Sequence, residues 1–504
     1  MSVLNERTSG VLLHVTSLPG PHGVGDFGPA ARHFVDWLAA HGQRTWQWLP
    51  TTPIGPADSP YQSVSAFAGS PLMVALEPLM EAGWLEAIEL PANGFDAHRA
   101  DFARAAPWRM AQLQRALEGF RVRAAANDRD AFAGWCASQA SWLEDYALYM
   151  AVKISEGQRA WWDWPAAVKK REAAAMEAAR RAHADAIEFW RFVQWNFAAQ
   201  CTALKNYAHA HGVSLIGDLP IFVAHDSADC WARPDLYFLD DSFQTTVVAG
   251  VPPDDLGPLG QRWGNPLYRW ERMAAENYGW WTARVKHALT QVDVIRIDHF
   301  RGFAGYWEIP ASSTTAKEGQ WIPGPGIALF NAIKAALGEL PIIAEDLGLI
   351  TPDVIELREA TGFPGMKIVQ FAFGGDGTHE FLPHNFSPNV VAYTGTHDND
   401  TAVGWWRNAQ QRDRTFAAAY LGATDDDIQW PMMRATANSI ARTVVFPMQD
   451  ILGLDSIHRM NTPGTCEGNW QWRFTWDQVG EEAGKRLAAM TAVSGRGAIG
   501  LLRS

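Results

Sequence analysis

Eight short apolar segments, each of a length suited to a buried strand, recur along this chain of 504 residues. They are GVLLHVTS (10–17), RTWQWLP (44–50), VSLIGDLPIFV (213–223), DVIRIDHF (293–300), LPIIAEDLG (340–348), MKIVQFAFG (366–374), NVVAYTGTHD (389–398) and TVVFPMQDILG (443–453). Helical patterns such as PAARHFVDWLAAHG and TPDVIELREATG lie between many of them. Strands that alternate with helices favour a parallel sheet, and eight of them favour a closed barrel. The sequence therefore predicts an α/β fold, a (β/α)8 TIM barrel.

The spacing of these segments predicts insertions within one catalytic domain that covers residues 1–504. Residues 80–210 are rich in Ala, Arg, Glu and Trp and predict a mostly helical insertion between strands two and three, far longer than one βα connection. Residues 224–290 are rich in Pro and Gly and predict a loop-rich insertion near the active face, and residues 399–442 a short one after strand seven. A last helix over DQVGEEAGKRLAAMTAVSG is expected to close the barrel, with no separate C-terminal β domain.

Four carboxylates stand at the ends of these apolar segments, where an acidic side chain is costly to bury. Asp218 ends VSLIGD, Asp298 ends DVIRID, Glu345 ends PIIAE and Asp398 ends NVVAYTGTHD. Because the active site of a TIM barrel lies at the carboxyl ends of its strands, we expect the four acids to share one rim. Acids gathered there suit the cleavage of glycosidic bonds, in which one carboxylate attacks and another donates a proton.

The neighbours of three acids indicate their roles. Arg296 and Asp298 lie two residues apart, so on a strand they point to the same face, and the Arg is expected to lower the pKa of the acid and keep it ionised as a nucleophile. Glu345 stands beside a second acid and is expected to have a raised pKa, as a general acid requires. The alternative for Arg296 and Asp298 is an internal salt bridge of the barrel. The alternative for Glu345 and its neighbouring acid is that one of them caps the following helix. His397 and Asp398 form a pair suited to two neighbouring sugar hydroxyls.

Composition narrows the choice of partner. The net charge of −13 arises from 42 basic and 55 acidic residues, and no basic cluster stands out, which disfavours nucleic acid and an anionic membrane. The 25 Trp residues indicate a packed core or, in part, sugar recognition by flat aromatic faces.

The N-terminus has no pattern of a signal or transit peptide, and no apolar stretch is long enough for a membrane span, so a cytoplasmic location is expected. The four cysteines are far apart and suggest neither disulfides nor zinc: Cys136, Cys201, Cys230 and Cys466.

The ordered motifs GDLPIFV, RIDHFRGF, IIAEDLG and YTGTHDND resemble the four signature regions of the α-amylase clan. Three flanking segments, DSPYQSVSAFAGSP (58–71), GQRWGNPLY (260–268) and RMNTPGTCEGNWQWR (459–473), resemble those of 4-α-glucanotransferases of the amylomaltase (disproportionating enzyme) type, glycoside hydrolase family 77. The resemblance runs from about residue 8 to the C-terminus, and the chain is similar to the short form that lacks an extra N-terminal region.

This resemblance implies a retaining transfer of α-1,4-glucan segments from a donor maltodextrin to the 4-OH of an acceptor glucan or glucose. It implies that Asp298 forms a covalent glucosyl-enzyme, that Glu345 is the general acid and then the base, and that Asp398 stabilises the transition state. His397 would help Asp398, and Arg296 would orient Asp298. No metal or organic cofactor is implied, and the partners would be maltodextrins, starch- or glycogen-derived glucans and glucose. The further substrate-binding residues implied are Tyr61 at the cleavage point, Asp218 in the same rim, Trp263 on the acceptor side and Asn461 near the substrate.

Other functions remain open from the residues alone. A hydrolase of the same clan would use the same carboxylates with water as the acceptor, and a non-catalytic glucan-binding protein would lack one of the three acids. A nicotinamide dehydrogenase would rest only on GVGDFG (23–28), which no acidic residue follows at the spacing that a dinucleotide site needs. One departure from the family is GVPPDDLGPLGQ, which has Leu256 and Gly257 at about the place of an aromatic–Ser pair, and it concerns acceptor handling rather than the catalytic core.

Overall fold

The computed structural model describes residues 3–253, 258–424 and 427–497, so that Leu256 and Gly257 lie outside the described residues. In chain order the strands are β1 (Thr8–Leu12), β2 (Thr45–Gln47), β3 (Ser214–Leu219), β4 (Val247–Val251), β5 (Gln261–Pro266), β6 (Val294–Ile297), β7 (Gly305–Pro310), β8 (Gln320–Pro323), β9 (Ile342–Ala344), β10 (Gly365–Ile368), β11 (Val390–Tyr393) and β12 (Thr443–Pro447).

Eight of these strands form one parallel sheet in the order β10-β11-β12-β1-β2-β3-β6-β9. The Ala344 N–H at the end of β9 donates to the Pro364 carbonyl just before β10 at 2.9 Å, which brings the two outer strands together and closes the barrel. Each of the eight predicted segments contributes one barrel strand, so the predicted (β/α)8 fold is confirmed. The strands are shorter than the apolar segments, because the last residues of each segment already belong to the loops at the carboxyl ends.

The barrel strands are buried on both faces, which explains their continuous apolar runs. All four residues of β6 and all four of β11 are buried. The helices around them are α1 (Pro29–Ala40), α2 (Glu77–Glu81), α3 (Phe102–Arg123), α4 (Ala126–Ser138), α5 (Ala140–Ser155), α6 (Ala166–Lys169), α7 (Ala173–Ala182), α8 (Ala184–Ala210), α9 (Ala228–Ala232), α10 (Trp270–Ala275), α11 (Gly279–Gln291), α12 (Ile327–Leu337), α13 (Pro352–Thr361), α14 (Ala402–Asn408), α15 (Gln411–Leu421), α16 (Gln429–Asn438), α17 (Met448–Ile451) and α18 (Glu481–Val493).

Helices α1 and α13 form in the two segments whose proline and glycine residues predict a helix start and a helix end. Helix α1 begins with a proline at its first position and buries Ala31, Phe34, Val35 and Leu38, which lie on one helical face. Helix α13 also begins with a proline, and Gly362 follows it with φ +73°, the left-handed conformation that ends many helices. Helix α18 lies in the segment for which a closing helix is predicted.

The segments between the barrel strands differ in kind. Residues 80–210 contain α3 to α8, and residues 399–442 contain α14 to α16. Residues 224–290, for which loops are predicted, contribute β4, β5 and α11, and the two strands pair with β7 and β8 in an antiparallel sheet of order β5-β4-β7-β8. The sequence does not reveal this sheet, because β5 and β8 are only partly buried and carry no apolar run.

Two further expectations concern the cysteines and membranes. All four cysteines are free thiols in the structure, as their wide spacing predicts. Within the described ranges, no helix combines the length and the apolar character needed to cross a membrane.

Candidate active site

Arg296 joins two of the predicted acids at the carboxyl ends of neighbouring strands β3 and β6. Its Nη1 donates to both carboxylate oxygens of Asp218 at 2.8 and 2.7 Å and to Oδ1 of Asp298 at 3.1 Å. The side chain of Asp218 is fully buried, whereas that of Asp298 is 27% exposed. The alternative of an internal salt bridge thus describes Asp218, while Asp298 shares the same guanidinium and still faces the open rim.

The charge balance around Asp298 differs from the sequence expectation. Burial raises the pKa of Asp298 well above its ordinary value, and the nearby charges of Asp218, Glu345 and Asp398 act in the same direction. Arg296 lowers the pKa, as predicted, but its charge is divided between two acids. The lowering by Arg296 is outweighed, because one guanidinium does not compensate a cluster of carboxylates in a buried site.

Glu345 follows β9 directly and has no cationic partner of its own. Its Oε2 accepts the N–H of His299 at 2.6 Å, and its Oε1 accepts the N–H of Leu347 at 3.1 Å. His299 adopts the left-handed conformation, φ 51°, which turns its N–H toward the carboxylate. Burial raises the pKa of Glu345 to about 7, in the direction predicted for a general acid.

The arrangement favours one proton shared between Asp298 and Glu345. Both pKa values are raised by burial, and two interacting acids lose their protons as a pair. Arg296 contacts Asp298 directly and favours the charged form of this acid, whereas among the described residues no ion pair involves Glu345. The alternative that Glu345 or Asp346 caps the following helix is wrong. Thr351, not either acid, stands at the N-terminus of α13, and Asp346 accepts the N–H of Met366 at 2.7 Å.

Asp398 lies in a second cluster that meets the first one at Tyr61. The Tyr61 hydroxyl donates to Oδ2 of Asp218 at 2.7 Å and lies 2.9 Å from Nε2 of His397. His397 Nε2 lies 3.3 Å from Oδ2 of Asp398, and Asn461 Nδ2 donates to Oδ1 of Asp398 at 2.6 Å. Burial lowers the pKa of His397, so the ring is neutral, and a proton on Nε2 fits both oxygen neighbours. The Tyr61 and His397 rings also stack, with centroids 5.4 Å apart.

Trp263 lies on the other side of the rim. It belongs to β5 of the antiparallel sheet, and its ring meets the His299 ring edge-on with centroids 4.8 Å apart. Because the His299 N–H donates to Glu345, His299 connects Trp263 to the candidate general acid. The structure thus brings all nine predicted site residues to one rim: seven form a continuous chain of polar contacts, and Glu345 and Trp263 join through His299.

Sequence reasoning misses Asp450, which has the same signal as the four acids it found. Asp450 follows β12 within TVVFPMQD, is fully buried, and accepts the Thr394 hydroxyl at 2.5 Å and the Ala402 N–H at 2.7 Å. Burial raises its pKa to about 6. Thr394 and Ala402 stand at the two ends of the loop that carries Asp398, so this carboxyl ties the loop to the last barrel strand.

Sequence reasoning also misses Trp470, although this residue lies within the family-like segment RMNTPGTCEGNWQWR (459–473). Its φ of 66° is a left-handed conformation that a bulky residue rarely adopts. The indole lies beside Tyr61, with centroids 5.7 Å apart, and beside His397, at 6.0 Å. The backbone conformation therefore directs an aromatic wall toward the cluster that holds Asp398.

One group of potential metal ligands lies outside the predicted site. Among the described residues, His22, Asp26 and Glu77 have donor atoms within 4.8 Å of one another. The buried guanidinium of Arg109 donates to Asp26 at 2.9 Å and already compensates that carboxylate. None of the three belongs to the predicted site residues.

We expect Tyr61→Phe to lower kcat/KM by roughly 10- to 100-fold, because removing a hydrogen bond to a charged group costs about 1.5–3 kcal/mol. The change removes the donor to Asp218 and the oxygen neighbour of His397 while the ring stays in place. Initial rates of maltotriose conversion measure the effect. Tyr207→Phe is the matched control, because its hydroxyl binds Asp36 at 2.6 Å on the outside of α8. Equal rates for the two variants would contradict the prediction.

Comparisons with known proteins show which family this chain resembles over almost its whole length. A family model for glycoside hydrolase family 77, described as 4-alpha-glucanotransferase, matches residues 13–478. The chain is 48% identical to a 4-alpha-glucanotransferase of Thermus thermophilus, over 97% of this chain and 99% of the relative. It is 44% identical to one of Streptococcus pneumoniae, over 97% of both. The solved amylomaltase from Streptococcus agalactiae in complex with acarbose superimposes with a TM-score of 0.93 at 37% identity, over 98% of this chain and 100% of that one.

The chain belongs to the 4-alpha-glucanotransferase family, glycoside hydrolase family 77. It is therefore an enzyme, a glucanotransferase of EC 2.4.1.25 type. The alternatives of a non-catalytic glucan-binding protein and of a nicotinamide dehydrogenase are wrong, because the match to 4-alpha-glucanotransferases covers almost the whole chain.

Proposed function

We propose that the enzyme moves α-1,4-glucan segments from a donor maltodextrin to the 4-OH of an acceptor glucan or glucose, with retention, through a covalent glucosyl-enzyme on Asp298. The observation that carries the proposal is a pair of acids on the adjacent strands β6 and β9. Asp298 is held by Arg296 and reaches the open rim, and Glu345 has a pKa raised to about 7 by burial. These are the environments that a nucleophile and a general acid require.

In the first step, an Asp298 oxygen attacks C1 of the donor sugar at the cleavage point. The bond from C1 to the bridging oxygen breaks, and Glu345 delivers its proton to that oxygen, which leaves as the 4-OH of the released sugar. Arg296 counters the negative charge that Asp298 carries before the attack. The product is an ester between Asp298 and C1, with the configuration at C1 inverted once.

In the second step, Glu345 acts as a base. Its carboxylate takes the proton from the 4-OH of the acceptor, whose oxygen attacks C1 and breaks the bond to Asp298. The second inversion restores the α configuration. Glu345 regains the proton and Asp298 regains its charge, so both acids return to their starting states.

Asp398, with His397 and Asn461, would hold the hydroxyls of the sugar that reacts. The Asp398 side chain is 43% exposed and is oriented from both sides, by His397 and by Asn461. Hydrogen bonds to a sugar hydroxyl that strengthen as charge develops at C1 accelerate the reaction. Tyr61 would stack on the same sugar, and Trp263, on the other side of Glu345, would face the acceptor.

A neutral glucan is the substrate class that fits this chain. The relative from Streptococcus agalactiae was solved with acarbose. The site itself combines acids with the aromatic faces of Tyr61, Trp263 and Trp470, which suit sugar rings. The overall charge of −13 disfavours an anionic substrate. Maltodextrins and starch- or glycogen-derived glucans are therefore the proposed donors, with glucose as the smallest acceptor.

Incubation of the purified enzyme with maltotriose, followed by separation of products by size, tests the proposal. Transfer predicts glucose together with a ladder of longer maltodextrins and a constant number of reducing ends. Complete digestion of the ladder by an enzyme specific for α-1,4 bonds would show that the configuration is retained. Glucose and maltose alone, with rising reducing ends, would mean that water is the acceptor and that the chain acts as a hydrolase.

A further inference from the structure

Two separate segments of the chain meet at Asp398. The first is the loop between β11 and α14, which carries His397 and Asp398. The second begins at Arg459 and continues to Asn461. The Asn461 N–H donates to the His397 carbonyl at 3.1 Å, and its Nδ2 donates to Oδ1 of Asp398 at 2.6 Å. The orientation of the Asp398 carboxylate therefore depends on where the second segment lies.

Arg459 sets that position through two backbone carbonyls. Its Nη2 donates to the carbonyl of Asp398 at 2.9 Å, and its Nε donates to the carbonyl of Asn461 at 3.3 Å. A guanidinium presents these N–H groups in one rigid plane, so it fixes the two carbonyls relative to each other. A lysine ammonium has no such fixed geometry. Arg459 thus binds both Asp398, which bears the carboxylate, and Asn461, which donates to that carboxylate.

We propose that Arg459 is a positioning residue for the transition-state stabiliser: it holds Asn461 against Asp398 and so aims the carboxylate at the sugar hydroxyls. The inference rests on the proposed role of Asp398. Among the described residues, no carboxylate forms an ion pair with Arg459, and its guanidinium binds the two carbonyls of this junction. The interaction is made by backbone atoms of Asp398, which leaves both carboxylate oxygens for Asn461, His397 and substrate.

A purely structural role for Arg459 predicts different kinetics. An arginine that only braces two loops would lower the melting temperature and affect binding and turnover alike. A positioning role predicts a loss concentrated in kcat, because the bonds from Asp398 to sugar strengthen in the transition state. It also predicts that Arg459 acts through Asn461, so that the two substitutions are not additive.

The test compares Arg459→Ala and Arg459→Lys with Arg407→Ala in maltotriose disproportionation. Arg407 is a matched control, because it is 64% exposed on the nearby helix α14 and binds Asp455 at 3.0 Å. We expect Arg459→Ala to lower kcat by about 10- to 100-fold with KM changed less than about 3-fold, a loss typical of a misplaced catalytic group. The kcat of Arg459→Lys is expected to remain well below that of the natural enzyme. The kcat and KM of Arg407→Ala are expected to equal those of the natural enzyme.

A double-substitution cycle with Asn461→Ala completes the test. We expect Arg459→Ala to cost less than about 3-fold in kcat once Asn461 is already alanine, since the side-chain amide that Arg459 positions against Asp398 is then absent. Full additivity, an unchanged kcat in Arg459→Lys, or equal losses in kcat and KM would each overturn the inference. Chemical rescue gives a further readout, because Arg459 lines a small cavity of about 20 Å³ that the loss of its side chain would enlarge. Guanidinium at millimolar concentration is expected to restore part of the kcat of Arg459→Ala and to leave Asn461→Ala unchanged.

Asp398→Asn separates this inference from the proposed function. If Asp398→Asn retains turnover, the role of Asp398 is wrong, and the proposed function fails at that point. If Asp398→Asn is inactive and Arg459→Ala turns over normally, only the role of Arg459 is wrong.

Discussion

Asp298→Asn is expected to reduce glucan transfer by at least about 10⁴-fold, because an amide cannot form the ester to C1 on which both steps depend. The geometry around the residue should persist, since Arg296 keeps both of its contacts to Asp218. Binding of maltodextrin is expected to remain within a few-fold of the natural enzyme. Product separation by size measures turnover, and calorimetric titration with maltodextrin measures binding.

The same substitution is expected to preserve or raise the melting temperature at pH 7. Burial raises the pKa of Asp298, so the folded state is destabilised by the charged form, and the effect grows as the pH rises above the ordinary value for Asp. A neutral amide removes that cost. Asp130→Asn, at an exposed position of α4, is the matched control for both measurements. Retained turnover in Asp298→Asn would remove Asp298 from the nucleophile's role, and a large loss of stability would contradict the charge argument.

Glu345→Gln is expected to lower kcat/KM for maltotriose by about 10²- to 10⁴-fold, the usual contribution of general acid–base catalysis. In the natural enzyme the first step needs Glu345 protonated, so kcat/KM should fall as the pH rises through about 7, where this carboxyl loses its proton. The Gln variant has no proton to lose, and the decline above pH 7 should disappear. Rates measured from pH 5 to pH 9 record both effects.

A donor with a good leaving group separates the acid step from folding. Fluoride leaves without a proton, so Glu345→Gln should react with α-maltosyl fluoride far better, relative to the natural enzyme, than with maltotriose. Glu359→Gln, at an exposed position of α13, is expected to behave as the natural enzyme does. An unchanged decline above pH 7 in Glu345→Gln would assign that titration to another group.

Together the two acids explain why the site tolerates so much buried negative charge. One guanidinium, Arg296, serves Asp218 and Asp298, and the raised pKa values of Asp298 and Glu345 indicate that a proton shared by these two acids relieves the remaining imbalance. In the proposed mechanism, this proton is the one that Glu345 donates in the first step and recovers in the second.

The sequence by itself determined the barrel and the identity of its acids. A parallel barrel strand is buried on both faces, so β6 and β11 must be apolar throughout, and any acid at their carboxyl ends stands out. The same rule, applied to the eighth segment, would also have found Asp450. The motifs around these acids were specific enough to indicate the family before any fold was known.

Only the tertiary structure decided how these residues act on one another. The antiparallel sheet that carries Trp263 produces no apolar run in the sequence, because β5 and β8 are only partly buried. The pKa of Asp298 depends on how Arg296 is shared with Asp218, which no spacing in the sequence expresses. The hydrogen bond from Arg459 to Asp398 joins a side chain to a backbone carbonyl 61 positions away. Strand burial requires apolar residues along the strand, so it can be inferred from the sequence. The sharing of a charge and contacts to distant backbone groups arise only when the folded chain brings distant segments together.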